Sequence, residues 1–138
     1  MLFRSPSTGD QDSLQNEIWI ADAHGGNARQ VTHNEIDEHE AELSPDNRTL
    51  LFLAEVNARF ESYYPSALFT VPAAGGTPAP LLADFPYTID HATWSPDGRA
   101  ILAVANMGVH SEIFRIDVAA KTATQLTDGR HSIQFWSL

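Results

Sequence analysis

The chain has 138 residues, enough for one compact domain and too few for two well-developed ones. Hydrophobic residues make up 43% and charged residues 19%, the balance of a globular chain and not of a disordered one. Lys plus Arg is 8 against 18 Asp plus Glu, and there is no cysteine. The formal net charge of -10 repels nucleic-acid phosphate and disfavours an anionic membrane surface, and the missing thiols exclude a disulfide framework, thiolate zinc sites and a Cys nucleophile.

In chain order the sequence reads as short strands punctuated by turns. Met1-Leu2-Phe3-Arg4 opens a strand and lacks the long apolar core of a signal peptide. Ile18-Trp19-Ile20-Ala21-Asp22 follows, then Gly25-Gly26, then Arg29-Gln30-Val31-Thr32. A polar stretch with His33, Glu35, Asp37, Glu38, His39 and Glu40 leads into a strand at 41–44. Ser44-Pro45-Asp46-Asn47 turns the chain into Leu50-Leu51-Phe52-Leu53-Ala54. Residues 56–66 form a long connection, after which Leu68-Phe69-Thr70-Val71-Pro72, Gly75-Gly76 and Pro80-Leu81-Leu82 repeat the earlier order. Past Phe85-Pro86-Tyr87 the order returns once more. It runs through a strand at 92–95, Ser95-Pro96-Asp97-Gly98, Ile101-Leu102-Ala103-Val104-Ala105, Ile113-Phe114-Arg115-Ile116-Asp117 and Thr124-Gln125-Leu126-Thr127. Residues 132–138 carry Phe135-Trp136-Ser137 where the preceding unit has Thr93-Trp94-Ser95.

This is an internal repeat of about 45–50 residues built from short apolar strands, the size of a four-stranded propeller blade. No segment keeps apolar residues at spacings of three and four for long enough to argue a helix. The fold class is therefore all-β, a β-propeller fragment of about three four-stranded blades. Its units hold three, four, four and one strands. They are blade one at 1–33 lacking its inner strand, blade two at 38–84, blade three at 90–128, and the inner strand of a further blade at 132–138. In each Ser-Pro-Asp turn the last residue must reach positive φ, which predicts that conformation for Asn47 and Gly98. Ala119-Ala120-Lys121-Thr122 stands where the other units have Gly-Gly, so that turn must differ. An open arc of blades leaves apolar radial faces, and the surplus inner strand at 132–138 predicts self-association, two copies closing a six-bladed ring.

The Trp-Ser-Pro-Asp-Gly, Gly-Gly and Leu-Thr elements resemble the TolB-type (WD-like) propeller repeat. That repeat occurs in periplasmic TolB-like proteins and in the N-terminal propeller of the prolyl oligopeptidase family of serine peptidases. Ala67 to Gly76 and Gln125 to Ile133 are similar to the acylaminoacyl-peptidase branch of the second group, and the long 56–66 connection suits it. The resemblance implies a non-catalytic propeller that gates peptide access to a separate α/β-hydrolase domain and docks on it. It also implies peptide substrates, no cofactor and a cytoplasmic location. The alternative is a TolB-like interaction module, with a periplasmic location. A third reading, a propeller enzyme with a metal in its channel, would use the acidic stretch, but His33 and His39 lie six apart, at no known ligand spacing.

The residues themselves argue against chemistry in this chain. The nucleophile of an α/β-hydrolase sits in a Gly-x-Ser-x-Gly elbow, and none of the ten serines lies between two such glycines. His110-Ser111 and His131-Ser132 are sequence neighbours, which on a strand point to opposite sides. No catalytic or metal-binding residue is therefore assigned. The candidate recognition residues are Arg59, Phe60, Tyr63 and Tyr64 in the 56–66 connection, types enriched at contact surfaces. In a propeller this connection shares a face with Phe85-Pro86-Tyr87 and with the acidic stretch. Trp19, Trp94 and Trp136 are assigned to packing between blades.

Overall fold

The computed structural model describes residues 2–6, 16–34, 36–57, 62–130 and 132–133; side chains are described from residue 16 onward, except for 62–64. Three antiparallel meanders follow one another. The first sheet holds β1 (Leu2–Pro6), β2 (Asn16–Ile20) and β3 (Arg29–Gln30). The second holds β4 (Glu38–Leu43), β5 (Thr49–Val56), β6 (Ser62–Pro72) and β7 (Ala79–Pro80). The third holds β8 (Thr88–Trp94), β9 (Ala100–Asn106), β10 (Ser111–Asp117) and β11 (Thr122–Gln125). The three outer strands each gain one further bond at the equivalent place. Val31 N donates to Ile18 O at 2.8 Å, Leu81 N to Leu68 O at 2.9 Å, and Leu126 N to Ile113 O at 2.7 Å.

The Ser-Pro-Asp turns are two copies of one hydrogen-bonded unit. Ser44 Oγ donates to Asp46 Oδ1 (2.6 Å) and accepts from Thr49 N (2.9 Å), while Arg48 N donates to Asp46 Oδ1 (3.1 Å). Ser95, Asp97, Ala100 and Arg99 repeat these bonds, in the same order, at 2.7, 3.0 and 3.1 Å. In each case the serine hydroxyl, then the arginine N–H, hold the aspartate pKa below its usual value. Asn47 (φ 58°) and Gly98 (φ 67°) both adopt the left-handed conformation that the turn requires. The differing turn is closed by Lys121 at φ 53°, with Asp117 Oδ1 accepting from Ala120 N at 2.8 Å.

Strand alternation explains why the apolar runs lack polar residues. On β5, Leu50, Phe52, Ala54 and Val56 face the first sheet, where they pack with Ile18 and Val31. Leu51 and Leu53 point the other way, into a second core with Ile89, Trp94, Ile101 and Ile116. A strand packed on both faces has no side left for solvent. Trp94 is a packing residue of this second core, as assigned, and Trp19 is half-buried on β2. Trp136 and the rest of 134–138 lie outside the described residues.

Two irregularities depart from the sequence expectation. The inner strands begin earlier than residues 41 and 92 because bulges re-aim them. Glu40 and Ala41 together oppose Phe52, with Glu40 at φ 53°, and Asp90 is an extra residue between Ile89 and His91. The 56–66 connection is also not an 11-residue loop. Ladder pairing runs on to Val56 opposite Ser62, so most of the segment is a lengthened hairpin. The extra length sits in a wide bulge, where residues 63–66 of β6 oppose Glu55 alone. Pro65, unable to donate to a ladder, lies in that bulge.

Candidate functional site

A buried polar clasp ties the outer strand to its neighbour in two of the three sheets. In the third sheet, Thr127 Oγ1 donates to Glu112 Oε2 (2.5 Å) and accepts from Ile113 N (2.8 Å), while Gly129 N donates to Glu112 Oε1 (2.9 Å). In the first sheet, Ile18 N donates to Thr32 Oγ1 (2.9 Å) and Asn34 N to Glu17 Oε1 (2.7 Å). There the Thr32 hydroxyl donates to Glu38, which also accepts from Asn34 Nδ2 at 2.7 Å. Glu17 and Glu38 are both fully buried. Burial, with the Glu17 charge adding to it, pushes the Glu38 carboxyl up to about 7, against the opposing hydrogen bonds from Thr32 and Asn34.

The second sheet has no such clasp. At the positions of the glutamate and the threonine it carries Ala67 and Leu82, which leave an apolar hollow of about 250 Å³. Its wall on one side is the β5–β6 hairpin, through Val56, Ser66 and Leu68, and on the other Leu82, Phe85, Pro86, Tyr87 and Ile89. The aromatic side is a packed group. Phe85 stands edge-on to Tyr87 (centroids 5.6 Å) and to Phe114 (5.2 Å), and Tyr87 lies 6.1 Å from Phe114. The structure thus brings the 56–66 segment and Phe85-Pro86-Tyr87 to one place, as expected from the propeller's loop geometry. His39 from the acidic stretch reaches it too, its Nε2 3.4 Å from Ser66 Oγ.

Of the sequence-assigned recognition residues, Arg59 and Phe60 lie outside the described residues. Tyr63 and Tyr64 are backbone positions in the β6 bulge, and their side chains lie outside the described part. Ser111 is buried, and its hydroxyl accepts from Ile133 N at 2.7 Å. The Ser66–His39 contact was not visible in the sequence, since the two residues are 27 apart. At 3.4 Å it is long for a hydrogen bond, Ser66 is buried, and no carboxylate among the described residues orients the His39 ring. His91 Nδ1 lies 3.0 Å from both carboxylate oxygens of Glu40, joining equivalent positions of neighbouring inner strands. Among the described residues no three His, Asp or Glu side chains converge on one point as a metal site, and no helix is long and apolar enough to cross a membrane.

The sheets and repeats define a partial β-propeller of the TolB type, resembling the propellers of the prolyl oligopeptidase family. Among solved structures, TolB from Acinetobacter baumannii superposes with a TM-score of 0.67 at 18% identity, over 86% of this chain and 28% of that one. The putative TolB from Agrobacterium tumefaciens gives 0.63 at 22% identity, over 82% and 39%. A puromycin hydrolase mutant complexed with PGG gives 0.64 at 21% identity, over 83% and 19%. Among curated proteins, the uncharacterized peptidase YuxL of Bacillus subtilis (strain 168) is 30% identical over 105 residues, which is 76% of this chain. The chain spans 15% of that relative's length. No family model matches.

Proposed function

We propose that this chain is a non-catalytic propeller segment of a serine peptidase of the prolyl oligopeptidase type, where it gates peptide access to, and docks on, a separate α/β-hydrolase domain. The observation that carries the reading is the 30% identity to a protein named as a peptidase, over three quarters of this chain. The puromycin hydrolase likeness adds a second protein of hydrolytic name with the same fold. The hydrogen-bonded role of Ser111 and the unoriented Ser66–His39 contact support a chain without its own nucleophile. Peptides, the hydrolase domain and, through the open blade faces, a second copy of this chain are the partners.

The second reading is a TolB-like interaction module, favoured by the TM-score of 0.67 to TolB. Turnover separates the two. The full-length protein is assayed on acylated di- to decapeptides and on folded proteins of the same cleavage-site sequence. Hydrolysis confined to the short peptides is expected. An absence of peptide hydrolysis would favour the interaction module.

A further inference from the structure

We propose that the hollow at Ala67 and Leu82 is a side-chain pocket for one aromatic or large aliphatic residue of an extended peptide, preferring a cationic residue beside it. The choice of a peptide as ligand rests on the peptidase reading; the pocket's chemistry does not.

The pocket exists because the second sheet departs from its neighbours. Where Glu112 and Thr127 fill this position in the third sheet with a hydrogen-bonded pair, Ala67 and Leu82 offer neither a clasp nor enough volume to replace it. The resulting space, about 250 Å³, exceeds the roughly 150 Å³ cavity that holds a benzene ring, and it suits a single side chain rather than a drug-sized ligand. Val56, Leu68 and Ile89 are buried at its base, while Leu82, Phe85 and Tyr87 are half-exposed at its mouth. The ring group of Phe85, Tyr87 and Phe114 is already packed, so an incoming side chain would order little that is not ordered.

Charge selects the neighbour. No Lys or Arg lines the pocket. Exposed carboxylates adjoin three of its lining residues in sequence: Glu55 next to Val56, Asp84 next to Phe85, and Asp90 next to Ile89. An adjoining hollow shares Leu82, Phe85 and Pro86 and is lined by both Asp84 and Lys121. A ligand that places an apolar side chain in the pocket and runs its backbone toward Glu55, Asp84 or Asp90 meets a carboxylate, which attracts a basic residue and repels an acidic one.

The test is a titration of the chain, labelled at Ile, Leu and Val methyl groups, with three blocked tetrapeptides: Ala-Arg-Phe-Ala, Ala-Arg-Ala-Ala and Ala-Glu-Phe-Ala. The first should shift the methyl signals of Leu68, Leu82 and Ile89. The second should bind about tenfold or more weakly, the worth of burying one large apolar side chain. The third should also bind more weakly, by a factor that shrinks with added salt. Ala67→Leu should fill the pocket and abolish the shifts. The triple variant Glu55→Gln, Asp84→Asn, Asp90→Asn, altered only at exposed positions, should erase the preference for Arg over Glu and keep the preference for Phe. Equal binding of the Phe and Ala peptides, or shifts confined to other methyls, would overturn the proposal. So would binding that emerges only after Phe60→Ala, since the hairpin would then be the pocket's own occupant. A failed titration leaves peptide hydrolysis by the full-length protein untouched, and failed hydrolysis leaves the titration untouched.

Discussion

The Thr32 hydroxyl donates to Glu38 and not to Glu17, although Thr127, its equivalent two sheets on, donates to the equivalent Glu112. Glu38 is thus a second buried carboxyl inserted into a clasp that elsewhere needs one. Its pKa rises from the ordinary 4.5 to about 7, so the folded chain holds the proton more tightly than the unfolded one. Stability from this group is complete below the ordinary carboxylate range and is lost as the pH rises through about 7. At about 1.4 kcal/mol per unit, up to about 3 kcal/mol is at stake. Urea melts at pH 5, 7 and 8.5 should show that decline, and Glu38→Gln, which mimics the protonated form, should flatten it. A decline of equal slope in the variant would assign the effect elsewhere.

Thr127→Val keeps the shape of the clasp and removes its hydroxyl. Glu112, fully buried, then loses the donor on Oε2, and Ile113 N loses its acceptor. A cost of about 1–3 kcal/mol is expected for the loss of these two buried hydrogen bonds. Denaturant midpoints measure it; a change under 0.5 kcal/mol, roughly the size of a neutral surface substitution, would show that the clasp is not a stabilising element.

Gly98→Val places a β-branched residue at φ 67°, with its Cβ about 3.5 Å from the Pro45 ring. The left-handed strain should cost roughly 1–2 kcal/mol or more, while Gly98→Asn, matching the natural Asn47, should cost well under that. Similar thermal midpoints for the two variants would contradict the turn assignment.

The hairpin separates dispensable from essential length. Residues 57–61 replaced by Asn-Gly should leave stability nearly unchanged, because loop length is energetically cheap. Excision of all of 56–66 should be strongly destabilising, since Val56 is buried against the first sheet and Ser66 is buried beside His39. Val56→Ala alone should cost about 1–3 kcal/mol.

Turns and strand order were legible in the sequence because their signals are local. Ser-Pro-Asp followed by Asn or Gly fixes a φ, and apolar runs such as 50–54 mark a strand covered on both faces. The site was less legible because it depends on what one repeat lacks. Glu17 with Thr32 and Glu112 with Thr127 share a spacing of fifteen residues, and Ala67 with Leu82 keeps that spacing without the polar atoms. Aligning the three units on this pair would have placed the hollow. The bulge at Glu40 leaves no comparable mark, since the position carries no glycine, and the one opposite Glu55 is marked only by Pro65. The Ser66–His39 contact joins two strands of one sheet and Glu40–His91 joins two neighbouring sheets, so each follows only from how the strands are placed in space.

The most direct measurement is where a serine-directed fluorophosphonate probe attaches in the full-length protein. Peptide mapping after labelling should find one modified serine, in a Gly-x-Ser-x-Gly elbow outside residues 1–138, with labelling blocked by short acylated peptides. A label on Ser66, Ser111 or any other serine of this chain, or no labelled serine at all, would contradict a non-catalytic propeller serving a serine hydrolase.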